Sequence, residues 1–395
     1  MPKTILFFAD GTWSGPDRDD NDGVSESTNV YKLYYGLNGR NISLAEYVDS
    51  AKEKEKVLAE NGQVLQVAKY IHGVGDTNNS IRRILGGVFG AGLIARIVRG
   101  YTYISRSYER DDNIILVGFS RGAYTVRALA GLIASEGLLR DSKWLSKEDA
   151  YRMGIKVWRN YRGHLKQSHN IILSLMETTI EKIDYLNHVD KDDLVPVGHI
   201  TAVAVWDTVG ALGIPEYYKD KRMDLFKFAD NVLNQKVHYG FHALALDEQR
   251  EDFTPTFWKR RENVVQLVFP GAHSDVGGGY STENNESGLS DITLQWMTEN
   301  LKSLGVSVNS PVYLPFNPDV RGVAHKPWLD DPFNKLGVRA RNFKGAAVLG
   351  HDAIALRMSG GPVKHAPFES PRQYKPTNWN VPDIAKQLNS AELNR

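Results

Sequence analysis

Five short apolar runs bounded by turn residues punctuate the chain: Thr4 to Ala9 (TILFFA), Leu65 to Ile71, Asn113 to Gly118 (NIILVG), Ile200 to Trp206 (ITAVAVW) and Val264 to Phe269 (VVQLVF). Their apolarity is continuous rather than alternating, the pattern of strands buried on both faces. Longer segments of helical character separate them, which predicts an α/β protein with a mostly parallel sheet and helices on both faces. The interval between Gly118 and Ile200 is far longer than one crossover needs. A helix after Ser120, ending near Gly137, takes up part of it. The remainder, residues 139–195, reads as an inserted helical hairpin. Its first arm spaces Tyr151, Ile155, Trp158 and Leu165 along one face and Arg152, Lys156, Arg159, Arg162 and Lys166 along the next, a basic amphipathic helix.

Composition narrows this frame. The 395 residues carry a formal net charge of +1, which speaks against a whole-protein grip on nucleic acid. The balance conceals a basic first arm and an acidic second arm in the insertion. There is no cysteine, so disulfides, thiolate metal sites and a cysteine nucleophile are excluded together. Ten of the sixteen prolines fall in the last 85 residues, where periodicity fades. We therefore expect one catalytic body over residues 1–305 and a loop-rich extension over 306–395 packed on it. The run Ile5 to Ala9 is too short for a signal-peptide core, and Ile84 to Ile104 is broken by Arg96, Arg99 and glycines. The expectation is a soluble protein made in the cytoplasm without a conventional signal peptide, any export needing a dedicated system.

The chemistry starts at Gly118-Phe119-Ser120-Arg121-Gly122, a G-x-S-x-G pattern with a buried strand running in and an Ala/Leu-rich helix running out. That context is a nucleophile elbow, in which small flanking residues let the chain turn sharply enough to present the serine at the carboxyl edge of the sheet. The Arg121 N–H at the helix start becomes one oxyanion donor, and the Gly11 or Thr12 backbone, leaving the first strand, the second. The Arg121 side chain reads equally well as a surface cation. A serine nucleophile needs a base and an orienting acid from later strands. Asp207 follows ITAVAVW, and His273 follows VVQLVF in a glycine-rich loop, so both arrive at the same edge as Ser120. His72, His242 and His351 compete for the base; His242 lies in HALALDEQR, which reads as a helix. Asp10, Asp275 and His351 are accessory candidates. Asp10, Asp207, His273 and Asp275 could converge on a metal, but no ligand spacing supports one, and the expectation is no metal and no cofactor. The D-x-D-G-T signature of aspartyl phosphatases fails because Phe8 occupies its nucleophile position, and Gly277 to Gly279 lacks the lysine of a P-loop.

DGTW with Thr28-Asn29-Val30, then IHGVGDT, GAGL, GFSRGAYTVRALAGLI, VWDTVGALG, HALALDE and FPGAHSDVGGGY resemble, in that order, an α/β-hydrolase domain family that includes the catalytic domains of type VI secretion phospholipase effectors. The resemblance runs from about residue 4 to residue 300. It implies an α/β-hydrolase fold and a Ser-Asp-His esterase, with Ser120, Asp207 and His273 in the three motifs, and for secreted members the cleavage of acyl chains from glycerophospholipids. Gly350-His351-Asp352 and Tyr374-Lys375-Pro376 echo the family's C-terminal segments only in part. The expected partners are a phospholipid or other acyl ester and an immunity or inhibitor protein; Trp158, Arg159 and Arg162 either meet a membrane surface or belong to a helix packed on the domain with a solvated basic face. Two alternatives stand beside this: a soluble carboxylesterase acting on small or carbohydrate esters, and a non-catalytic scaffold on a hydrolase fold.

Overall fold

The structure, a computed structural model, describes residues 2–11, 26–42, 53–73, 88–164, 189–209, 231–313, 315–330, 333–335 and 337–376. Its strands are β1 (Thr4–Ala9), β2 (Arg40–Ile42), β3 (Glu53–Glu60), β4 (Gln63–Ile71), β5 (Asn113–Phe119), β6 (Leu138–Leu139), β7 (Leu194–Val195), β8 (Ile200–Trp206), β9 (Val237–Ala245), β10 (Val264–Phe269) and β11 (Leu349–Gly350). Nine of them form one sheet in the order β11-β10-β9-β8-β5-β1-β4-β3-β2. From β11 to β4 every neighbouring pair is parallel; β3 and β2 add an antiparallel edge.

The continuous apolar runs are buried on both faces. In β1, Ile5, Phe7 and Ala9 point into one core with helices α2 (Val88–Ser107), α3 (Arg121–Glu136) and α4 (Lys147–His164). Leu6 and Phe8 point into the other, under α1 (Asn29–Gly36) and α6 (Gly288–Ser303). In β8 the same alternation sends Val203 and Val205 one way and Ala202, Ala204 and Trp206 the other. The chain goes from β1 outward to β4, then returns to place β5 on the opposite side of β1. The carboxyl edge of β1 and β5 is therefore a topological switch point, where open α/β sheets take ligands.

Two departures from the sequence reading concern the sheet. The HALALDE segment, expected as a helix, supplies the last part of β9, held between β8 and β10. Its His242 is fully buried, accepting from the Thr208 N–H at 3.1 Å and lying 3.2 Å from Gln266 Oε1. The polar strand β3 went unread because it is half-exposed; Asn61 and Gly62, both with positive φ, turn it into β4 as a hairpin.

The insertion leaves and rejoins the body through a two-residue antiparallel ribbon, with Leu138 opposite Val195 and Leu139 opposite Leu194. Its first arm is the expected helix, α4. Most of the second arm, residues 165–188, lies outside the described residues, as do residues 377–395. Of the two readings of the first arm, the burial fits the helix packed on the domain rather than the one facing a membrane. Ile155, Trp158 and Tyr161 are buried in the core, Trp158 at 1% exposure, and Arg159 and Arg162 are half-buried. An amphipathic period marks a face that seeks apolar contact, and here α2 and α3 supply it.

Past residue 305 the described segments pack on the body. Val306, Val308, Val312 and Tyr313 enter the core beneath α1 and α6. Phe343, Val348, Ile354, Val363 and Tyr374 form a third cluster against Leu244, Leu246 and Val268, and β11 extends the sheet beside β10. No helix among the described residues is long and apolar enough to cross a membrane.

Candidate active site

Ser120 follows β5 directly and opens α3, with φ 56° and ψ −121°, a backbone conformation that non-glycine residues avoid. The strain is held from several sides. The Ser120 N–H donates to the Trp206 carbonyl at 3.1 Å, and its carbonyl accepts from the Tyr124 N–H. A Cβ on Gly118 would lie 2.6 Å from the Gly122 carbonyl, and one on Gly122 would collide with the Ala9 carbonyl, so neither glycine tolerates a side chain. Ser120 therefore sits where β5, the end of β1 and the first turn of α3 converge, at the positive end of a helix.

Asp207 follows β8, also at positive φ (37°), and is fully buried. His273 opens the short helix α5 (His273–Gly277) after Gly271, whose φ of 105° turns the chain off β10. The imidazole is sandwiched by the rings of Phe119, the residue before Ser120, at 4.5 Å, and Phe253 at 4.9 Å. Its Nδ1 lies 2.5 Å from Asp207 Oδ2. The Asp207 carboxylate also accepts from the Ala245 N–H at 3.0 Å and, in a two-pronged ion pair, from Arg341 Nη1 at 2.6 Å and Nη2 at 2.8 Å.

Burial alone would raise the pKa of Asp207; the Arg341 charge and the hydrogen bonds from His273 and Arg341 reverse this and hold it well below the usual carboxylate range. For His273, burial pushes the pKa down, and Arg250 adds to this, while Asp207 and Glu248 oppose it; the net shift is downward. The imidazole is thus kept neutral with its Nδ1 turned to a carboxylate, as a proton acceptor acting through Nε2 requires.

The other sequence-derived residues divide sharply. Gly11 lies against Ser120, since a Cβ placed on it would be 3.3 Å from the serine Cβ. Its N–H, however, donates to Asp10 Oδ1 at 2.7 Å, so the expected oxyanion donor is already engaged. Thr12 lies outside the described residues. Asp10 is fully buried, and desolvation raises its pKa to about 6 against hydrogen bonds from Tyr70, Thr28 and Gly11. The side chain of Arg121 is half-buried beside Arg96; burial first and the like charge second lower its pKa to about 9. Asp275 turns away from the site to His325 Nδ1, 2.6 Å away. His351 caps α7 (Asp352–Ser359), accepting from the Ala353 N–H, and stacks on Phe269. Among the described residues no three His, Asp or Glu side chains converge as a metal site.

Sequence reading missed Arg341, Glu248 and Arg250. Glu248 accepts from the His273 N–H at 3.2 Å and pairs with Arg250 at 2.7 Å. It lies inside the HALALDE motif, so an acid in that motif was the available signal. Arg341 is 134 positions from Asp207, with no pattern around it.

A mostly parallel sheet covered on both faces, with a strand–serine–helix elbow at its carboxyl edge and an aspartate and histidine brought there by later strands, defines an α/β-hydrolase-like protein. The chain belongs to the family described as "T6SS, Phospholipase effector Tle1-like, catalytic domain", which matches residues 3–300. An uncharacterized protein of Saccharomyces cerevisiae is 27% identical over 264 residues, covering 64% of this chain and 32% of that protein. An uncharacterized Pseudomonas aeruginosa protein of known structure aligns with TM-score 0.43 and 18% identity over 80% of this chain and 48% of that one. The structure of the Tle1 effector bound to the VgrG spike of the type 6 secretion system aligns with TM-score 0.38 and 19% identity, over 71% and 52%. The chain thus spans about a third of the curated relative and about half of these solved chains.

Proposed function

We propose that the chain hydrolyses acyl esters of glycerophospholipids through an acyl-serine on Ser120. Ser120 Oγ attacks the ester carbonyl as His273 Nε2 takes its proton. The imidazolium, stabilised by Asp207, returns that proton to the departing alcohol oxygen as the C–O bond breaks. Water then adds to the acyl carbon, giving its proton to His273, which passes it to Ser120 Oγ as the C–Oγ bond breaks, releasing the fatty acid and restoring the serine. The developing oxyanion is met by the Arg121 N–H. With the Gly11 N–H engaged by Asp10, Thr12 is the remaining candidate for the second donor.

The observation that carries this reading is the 2.5 Å contact between His273 Nδ1 and Asp207 Oδ2, with the imidazole packed on the residue preceding a strained serine. The phospholipid class rests on the family match over residues 3–300. The test is labelling by a fluorophosphonate probe together with product analysis on mixed phospholipid vesicles. Wild type should be labelled and should release fatty acid and lysophospholipid, and Ser120→Ala should do neither. Labelling of Ser120→Ala at the wild-type rate would rule out the nucleophile, and an unlabelled wild type would leave the scaffold reading.

The burial of Trp158, Ile155 and Tyr161 favours one second reading, a carboxylesterase for small soluble esters that needs no interfacial anchor. Turnover on short water-soluble esters without release from vesicles would select it.

A further inference from the structure

The Asp207 carboxylate receives four hydrogen bonds, which fills its acceptor capacity. Two come from one guanidinium. Arg341 is itself buried; beyond the fork onto Asp207 its Nη atoms donate to the carbonyls of Ala245 at 2.8 Å and Phe253 at 2.7 Å, while its Nε has no partner among the described residues. All of its bonding is therefore committed at the tip, to the acid and to the two chain segments beside it. Arg341 lies outside the stretch that matches the family, 3–300, in the extension that wraps the body.

We propose that Arg341 is a positioning residue for the base: its fork locks the Asp207 carboxylate with Oδ2 toward His273 and shares the charge that this carboxylate offers the imidazole. This rests on the acyl-serine reading. The charged and titratable groups around the pair are Arg341 from the extension, Glu248 and Arg250 from the segment after β9, and His242 from β9. A carboxylate fully available to an imidazole favours imidazolium, which cannot act as the base. A fixed cation paired with both oxygens of the same carboxylate, one of them the Oδ2 that meets His273, withdraws part of that stabilisation. Removing the buried positive charge makes the Asp207–His273 pair bind a proton more readily, whichever member carries it. The acid limb of activity must then move to higher pH. The planar fork matters separately, because a lysine ammonium restores the charge but cannot hold both oxygens in one plane.

The experiment uses the full chain as wild type, Ser120→Ala, Arg341→Met and Arg341→Lys, with the rate of fluorophosphonate labelling measured against pH and thermal unfolding as the folding control. The expected result is an acid limb about one pH unit higher in Arg341→Met, hence roughly tenfold slower labelling on that limb. Arg341→Lys should keep the wild-type limb with a lower plateau. Ser120-dependent labelling with an unmoved limb in folded Arg341→Met overturns the role of Arg341 alone. Labelling that survives Ser120→Ala overturns the acyl-serine reading and this role with it. Should Arg341→Met fail to fold, Arg341→Lys decides: a lowered plateau on the wild-type limb supports the positioning role, and wild-type rates at every pH refute it.

Discussion

Two buried aspartate–histidine pairs stand side by side at the carboxyl edge of the sheet, and they have opposite character. Asp207–His273 and Asp275–His325 have nearly the same Nδ1–Oδ separation, 2.5 and 2.6 Å, and both aspartates are fully buried. Burial pushes both imidazoles toward neutrality. In the first pair it prevails, with Arg250 adding to it and Arg341 on the shared carboxylate. In the second, Asp275 and then Glu286, 3.6 Å from Nε2, overcome it, and the pKa of His325 is raised. His325 also stacks on Tyr280, and Asp275 takes the N–H groups of Ala272 and His325. On the proposed reading the first pair serves as the base, and the second, with its raised pKa, as a clamp on the turn that carries His273. Residue types alone do not separate them; the next shell of charge does.

The largest expected effect tests that division directly. His273→Ala should lower kcat/KM on an ester substrate by about 10⁴-fold or more, whereas His325→Gln should stay within about tenfold. Equal losses would erase the distinction. Next in size, Asp275→Asn should destabilise the fold by about 3–5 kcal/mol in denaturant unfolding, because it removes the nearer of the two carboxylates that face the buried His325 imidazole. A value near zero would remove the clamp. The smallest effect lies in the pH dependence of stability. The folded pKa of His325 is raised, so its contribution is complete below the unfolded value of about 6.5 and is lost as pH rises through the folded value. His325→Gln should flatten the unfolding midpoint over that window, a change of about 1 kcal/mol; an unchanged slope would assign the protons elsewhere.

What the sequence revealed follows from how local each feature is. The elbow was legible because strand, serine, glycines and helix are contiguous, and β8 and β10 delivered Asp207 and His273 as expected because a buried parallel strand announces both its length and its end. β9 was misread because HALALDE, taken alone, fits a helical period; pairing with β8 and β10 decides it. Trp158 was correctly seen as part of an apolar face, but a period says nothing about what covers that face. Gly11 was placed correctly beside Ser120, yet its N–H belongs to Asp10, a side-chain detail that no spacing encodes. Arg341 is the extreme case, its partner being set entirely by how the extension closes on the body.

The ribbon of β6 and β7 carries a separate lesson. It joins the insertion to the body at the far end of α3, whose 16 residues span about 24 Å from Ser120. Both chain ends are fastened there, side by side, while the first arm between them packs back into the core through Ile155, Trp158 and Tyr161. The insertion is thus stapled twice, at its ends by the ribbon and along its first helix by the core. A change within that helix is therefore transmitted to α3, the helix that Ser120 opens.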